Sequence, residues 1–365
     1  MAPKPYNKYY ALDLYCKEQV GVSSADIKKY IQLLEDSGLA AHSMVMVRHG
    51  KVFFEKYWEP FHRDFLHRLY SDSKSYVSLA IGFLVQEGKV ELDAPAVSYF
   101  DSSITANASE AVKRQTVKDM LMMSTGFPNG NGFWFRFNLP DRLKGYFDKS
   151  AESTKFKVPG SLFEYDSWGS FVLCALVETV SGMSFDEFMH ERLYSKIGVS
   201  PDTYILKCPG GNSWGDSGVM CTAMDQARVM QFTMNNGSWC GEQILDSEYV
   251  KTACSNLIDN NLGLVSSPDR RGYGYQIWRT RDNSFFFNGM GCQFAVAVPD
   301  NADAYNDLVA YGDSLRLYSL SNSVNSKLKD KINGKEYVMN DNPMGITRIK
   351  FTFDGDDGVM EYTNA

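Results

Sequence analysis

No segment of this sequence reaches the roughly 18 consecutive apolar residues that a membrane-spanning helix needs. The first twenty residues, MAPKPYNKYYALDLYCKEQV, also lack the apolar run of a signal peptide, so a cytoplasmic location and no membrane partner are expected. The seven cysteines, at 16, 174, 208, 221, 240, 254 and 292, form no C-x-x-C pair and no metal-ligand spacing with the histidines. We expect free thiols, mostly in the core, in a reducing compartment, with no metal and no organic cofactor. Basic residues (37 Lys+Arg) are interspersed with 44 Asp+Glu for a net charge of −7. The lack of a clustered basic surface to meet phosphates argues against a nucleic-acid partner. Histidine is scarce: His42, His49, His62, His67 and His190 are the five, and none follows position 190.

What is present describes a folded globular chain, 44% hydrophobic and 14% aromatic over 365 residues. SSADIKKYIQLLEDSGL (Ser23 to Leu39) has an N-cap serine, apolar residues at helical spacing and a glycine stop, which predicts an amphipathic helix. SMVMVRHGKVFFEKYW predicts two strands joined tightly at His49-Gly50. From Lys74 to about Asn256 the helical period dominates, and Ser184 with Glu187 forms a capping box. Strand-like runs return at Tyr273–Thr280, Ser284–Gly289 and Cys292–Pro299, and the terminal GITRIKFTFDGDDGVMEYTN alternates like a hairpin. The expected architecture is α/β: an antiparallel sheet assembled from both ends of the chain (20–73 and 265–320), flanked by helices. A mostly helical lobe (74–264) is inserted, and a small β-hairpin extension (321–365) follows.

Two short patterns compete as the reactive centre. In RLYSDSKSYVSLAIGFLVQEGK, Ser71 precedes Lys74 by three residues at the start of an apolar helix, which puts the hydroxyl and amine on one face. A lysine there can serve as general base, and free N–H groups at a helix start can stabilise an oxyanion. The spacing alone is cheap, since SKLK (Ser326 to Lys329) repeats it in a polar run with no apolar helix behind it. The rival, GNSWG (Gly211 to Gly215), is a literal G-x-S-x-G, but no helix follows at once and no histidine comes later. The histidines themselves lack ligand or triad spacing, which makes a lysine base more plausible by elimination.

Five ordered phrases between about Ser43 and Pro299 then resemble one family, the serine hydrolases related to class C β-lactamases, DD-peptidases, certain esterases and 6-aminohexanoate-dimer hydrolases. They are SDSKSYVSLAIGFLVQEGKVELDAPAVSYF, TVKDMLMMSTGF, PGSLFEYDSWGS, TAMDQARVMQFTMNNGSWCGEQIL and NGMGCQ. The resemblance implies a β-lactamase-like fold in which Ser71 is acylated, Lys74 is its base and Tyr165 shares the proton network and protonates the leaving group. It also implies that Gly289 permits close backbone approach and that the N–H groups of Ser71 and Met290 form the oxyanion hole.

Two departures bear on substrate. Asn288 stands where a lactamase usually has lysine, and Ser167 where many members have asparagine. Both weaken recognition of penicillin-like substrates, which favours an amidase or esterase acting on a small ester, amide or peptide-like molecule. The aromatic run around Phe133, Trp134 and Phe135 is either core filling or a wall over Ser71 that selects apolar acyl groups. After Pro299 the sequence is irregular where the family has a long strand. Completion of the sheet is left to NDLVAY, to the terminal hairpin or to another subunit, so an oligomer formed through the C-terminal extension is an open expectation. An acylatable sensor and an acyltransferase remain alternatives on the same scaffold.

Overall fold

The computed structural model describes residues 20–127, 141–151, 157–261, 270–299, 327–340, 346–354 and 357–364. Trp134 and its aromatic neighbours, the NDLVAY segment and Ser326 therefore lie outside the described residues. The chain divides into two compact units, Met1–Asp300 and Asn301–Ala365.

The first unit opens with helix α1 (Ser24–Asp36), capped by the Ser23 hydroxyl on the Asp26 N–H. Strands β1 (Ser43–Arg48) and β2 (Lys51–Tyr57) pair antiparallel. Their two-residue turn places both His49 (φ 51°) and Gly50 (φ 73°) in the left-handed region, as a type I′ turn demands. Ile27 of α1 packs on Phe53 of β2. The two-residue strand β3 (His67–Arg68) and a 3₁₀ turn (Tyr70–Asp72) then lead into α2 (Ser73–Gln86).

Every residue of α2 from Ser73 to Leu84 is buried. A helix apolar on all sides belongs in the middle of a core rather than at its edge, and α2 packs against the equally buried α7 (Ser167–Ser181) and against α11 (Ser247–Ala253). Short helices α3 (Ser102–Thr105), α4 (Glu110–Arg114) and α5 (Val117–Leu121) precede α6 (Arg142–Ala151). After α7 come α8 (Phe185–Met189), a π-helical turn and α9 (Ser195–Ile197), with the Ser184–Glu187 capping box in place. α10 (Ala223–Met234) packs on β1 and also on β10 (Gln293–Ala297). One helix thus backs ladders from both ends of the chain, although among the described residues those ladders share no hydrogen bonds.

Two features differ from the sequence reading. Within the helical region, β4 (Tyr204–Ile205) and β5 (Val219–Cys221) form a small sheet with β3, in the order β3-β5-β4. Runs of two or three residues carry too little alternation to be seen. The expected strand Tyr273–Thr280 shrinks to β8 (Trp278–Arg279), because Gln276 turns to φ 58° and breaks the extended backbone. Gln276 is buried and knits three helices: its Nε2 donates to the Met120 carbonyl at 2.9 Å, its Oε1 accepts from Ser170 at 2.6 Å, and its main-chain carbonyl accepts from Ser75 at 2.7 Å. β8 continues the sheet β10-β9-β8 through β9 (Phe285–Gly289).

Between these elements, β6 (Ser238–Trp239) pairs with β7 (Glu242–Gln243). The six described cysteines are free thiols, four of them buried, with Cys240 and Cys292 exposed. Among the described residues no single helix is long and apolar enough to cross a membrane. The second unit holds α12 (Lys327–Ile332) and an antiparallel sheet of β11 (Glu336–Val338), β12 (Ile346–Asp354) and β13 (Asp357–Asn364). Its last two strands pair from Ile346↔Asn364 to Asp354↔Asp357, the hairpin that the DGDDG turn predicts.

Candidate active site

Tyr70 adopts φ 50°, a conformation that costs a bulky residue about 1–3 kcal/mol and that the surrounding contacts must enforce. It directs the chain from β3 into the 3₁₀ turn, and Ser71 emerges half-buried one turn ahead of Lys74. Lys74 is only 1% exposed. Its Nζ donates to Ser71 Oγ at 3.0 Å and to the Asp216 carbonyl at 2.6 Å, and it has no carboxylate partner among the described residues. An amine held by two neutral oxygens, one of them a hydroxyl, is the arrangement proton transfer from that hydroxyl requires.

The segment 214–219 is stitched to the Ser71 turn from several directions. Leu69 N–H donates to the Val219 carbonyl at 2.9 Å, Val219 N–H donates to Ser73 Oγ at 3.0 Å, and Arg68 Nε donates to the Ser217 carbonyl at 2.9 Å. The Arg68 guanidinium lies between the Tyr70 and Trp214 rings, 4.8 and 4.5 Å from their centroids. Beneath this segment, Arg142 and Asp216 form a bidentate ion pair at 2.8 and 3.0 Å, 3% and 0% exposed. Burial works against the Arg142 charge, but the Asp216 carboxylate outweighs it and holds the guanidinium above its ordinary range. Neither residue was singled out in the sequence. They lie 74 positions apart, and neither matches a catalytic pattern.

Tyr165 approaches the same amine by its ring face, with Lys74 Nζ 5.0 Å from the centroid. The ring stacks on Trp278 at 5.6 Å, and among the described residues no hydrogen bond joins its hydroxyl to Ser71 or Lys74. Asp166 fixes the local backbone: its carboxylate accepts from Thr125 at 2.9 Å and from the Gly169 N–H at 3.0 Å, capping α7. Burial raises the Asp166 carboxyl despite those donors. Ser167 is the first residue of α7 and is buried.

On the opposite side, the end of β9 abuts the Tyr70–Asp72 turn. A Cβ on Gly289 would stand 2.0 Å from the Leu69 carbonyl oxygen, so only glycine lets strand and turn meet this closely. Met290 follows, 49% exposed, and Asn288 is half-buried, paired with Phe294. Ser71, Lys74, Tyr165 and Gly289 are therefore brought around one point, with Asn288 before Gly289 in the strand, Met290 just past its end and Trp134 outside the described residues.

The rival serine is placed elsewhere. Ser213 is fully buried, its N–H faces both Glu178 carboxylate oxygens at 3.3 Å, and its hydroxyl has no partner among the described residues. Gly215 owes its identity to packing, since a Cβ there would lie 2.3 Å from Cys174 Cβ on α7 and 2.8 Å from Val77 on α2. Among the histidines, His67 is buried, and burial, then His42 nearby, lowers its pKa against a smaller pull from the Phe65 backbone. His42 stacks on Phe61 at 3.7 Å.

Next to Ser71, Asp72 is completely buried, touches the Gln226 amide through one oxygen and leaves the other without a partner among the described residues. Burial raises its pKa to about 8, against a smaller opposing pull from Gln226. The folded chain then keeps a proton that the unfolded chain loses above about pH 4, so stability falls as pH rises from about 4 to about 8. Asp72→Asn is expected to flatten that part of the curve, as read from thermal midpoints against pH.

The Beta-lactamase family model matches residues 27–327, and the chain belongs to this family of hydrolases. It is 24% identical over 276 residues to the 6-aminohexanoate-dimer hydrolase of Paenarthrobacter ureafaciens, covering 71% of this chain and 69% of that protein. The fold is similar to that of an octameric penicillin-binding protein homologue from Pyrococcus abyssi, with a TM-score of 0.62 and 17% identity over 94% of this chain and 88% of that one. It is also similar to EstCE1, a hydrolase with promiscuous acyltransferase activity, with a TM-score of 0.58 and 16% identity over 77% and 93% of the two chains. The resemblance drawn from the five phrases and the expected α/β class both hold.

Proposed function

We propose that this chain is a serine hydrolase that cleaves an amide or ester bond through an acyl-enzyme on Ser71. The observation that carries the reading is the 3.0 Å contact between Lys74 Nζ and Ser71 Oγ, made by a buried amine whose other hydrogen bond goes to a backbone carbonyl. In the first step Lys74 takes the Ser71 proton as Oγ attacks the substrate carbonyl. The N–H groups of Ser71 and Met290 meet the negative oxygen. The leaving group departs with the proton that Lys74 took from Ser71, and water then attacks the acyl carbon by the same route in reverse.

Asn288 provides no cation for a substrate carboxylate, which favours a small neutral ester or amide over a penicillin-like molecule. The likeness to a 6-aminohexanoate-dimer hydrolase supports an amide among the substrates. A second reading, transfer of the acyl group to an alcohol or amine in place of water, is favoured by the likeness to EstCE1.

Incubation with a p-nitrophenyl ester, followed by intact-mass measurement and peptide mapping, tests the proposal. Continuous release of p-nitrophenol, with any trapped acyl group on Ser71, is expected. A stoichiometric adduct that persists would instead identify an acylatable sensor. A new ester formed with added alcohol would identify the transferase. Absence of both turnover and adduct across short-chain and aromatic esters and amides would overturn all three.

A further inference from the structure

Asp216 has two occupations. Its carbonyl oxygen accepts from Lys74 Nζ at 2.6 Å, and its carboxylate receives both arms of the Arg142 guanidinium at 2.8 and 3.0 Å. We infer that the buried Arg142–Asp216 ion pair is a positioning device for the Lys74 amine, which it aims at Ser71 through the Asp216 backbone. The inference rests on the serine-hydrolase reading above.

Lysine ends in a point-like group on a flexible four-carbon stem with three rotatable donors, so its own chemistry does not fix where the nitrogen points. Here one of those donors is anchored on a carbonyl, which leaves the nitrogen 3.0 Å from Ser71 Oγ. That anchor is only as firm as the peptide carrying it, and 214–218 is turn and irregular chain rather than helix. Two arginines hold it. Arg68 grips the Ser217 carbonyl from the nucleophile side, and Arg142 grips the Asp216 side chain from the start of α6.

Arg142 is itself immobilised. Its guanidinium lies 4.3 Å from the Phe171 ring centroid, Nη1 reaches Cys208 Sγ at 3.7 Å, and its main-chain carbonyl accepts from Trp168 Nε1 at 3.0 Å. A planar fork meeting a carboxylate in two parallel bonds fixes orientation as well as distance. A lysine at 142 would preserve the charge and lose the orientation. The pair carries no net charge, so its effect on Lys74 is one of placement.

The test measures the second-order rate of fluorophosphonate labelling of Ser71 against pH, beside the KM for a p-nitrophenyl ester and the thermal midpoint. Variants are Arg142→Lys, Arg142→Gln, Asp216→Asn and the apolar double replacement Arg142→Met/Asp216→Leu. Displacement of a reacting group by about 1 Å costs about 100-fold. Labelling is accordingly expected to slow by about 10- to 100-fold in the folded variants. The pH midpoint of labelling is expected to move, with KM changed by less than about 3-fold.

Arg142→Lys should recover little of the loss. The double replacement keeps the 216 carbonyl and removes both buried charges, so it is expected to fold even where a single replacement does not, and still to label slowly. Wild-type labelling rates at every pH in the folded variants would overturn the inference, as would a loss that only tracks the unfolded fraction. A Ser71→Ala control separates the two levels. Labelling that survives in Ser71→Ala defeats the serine assignment itself, whereas Ser71-specific labelling that ignores residues 142 and 216 defeats only the positioning role.

Discussion

Ser71→Ala is expected to abolish fluorophosphonate labelling and to lower kcat/KM for a p-nitrophenyl ester by about 10⁴-fold or more. Residues that act as one nucleophilic unit fail together, so Lys74→Ala should fall by about 10²- to 10⁴-fold, and the double variant should lose little beyond Ser71→Ala alone. Lys74 sits within 3.0 Å of the hydroxyl and is 1% exposed, so water is poorly placed to take over as base. Ser213→Ala supplies the contrast. That hydroxyl is buried without a partner among the described residues, between Glu178 contacts and a glycine packed on two helices, and its removal should leave turnover within a few-fold of wild type. Steady-state kinetics and gel-based labelling of the four proteins decide the matter. Loss of labelling in Ser213→Ala alone would reverse the assignment.

Gly289→Ala is expected to destabilise the protein by about 3 kcal/mol, the upper part of the range for forcing an extra methyl into a packed site. The added carbon would stand 2.0 Å from the Leu69 carbonyl and 2.9 Å from Gln293 Cβ, and a backbone oxygen cannot swing aside as a flexible side chain can. The strand must back away from the Tyr70–Asp72 turn. If the N–H groups of Met290 and Ser71 form the proposed oxyanion hole, that movement parts them, and acylation should fall along with stability, by more than the unfolded fraction explains. Denaturant unfolding with parallel labelling kinetics measures both. A variant of wild-type stability and rate would show that turn and strand are free to part.

Much of this site was legible because its key spacing is local. Ser71 and Lys74 are three residues apart, and the buried helix behind them is written in the unbroken apolar run to Leu84. Caps at Ser23 and Ser184 and the His49-Gly50 turn were likewise set by neighbouring residues. The rest depends on partners distant in sequence. Nothing near Arg142 announces Asp216, nothing near Gln276 announces the three helices it joins, and a two-residue strand such as β3 exists only because β5 lies beside it. Tyr165 falls between the two cases: its motif was readable, but the Trp278 ring that stacks on it lies 113 positions away, so the face it turns to Lys74 was not.

The burial of α2 on every side has a consequence for how this protein should fail when heated. Local openings that release amide protons are easiest where backbone is exposed and contacts are few, and α2 offers no such place between Ser73 and Leu84. Its amides should therefore exchange with solvent deuterium only through unfolding of the whole first unit. Thermal inactivation is then expected to coincide with the main unfolding transition, with no inactive but folded form preceding it.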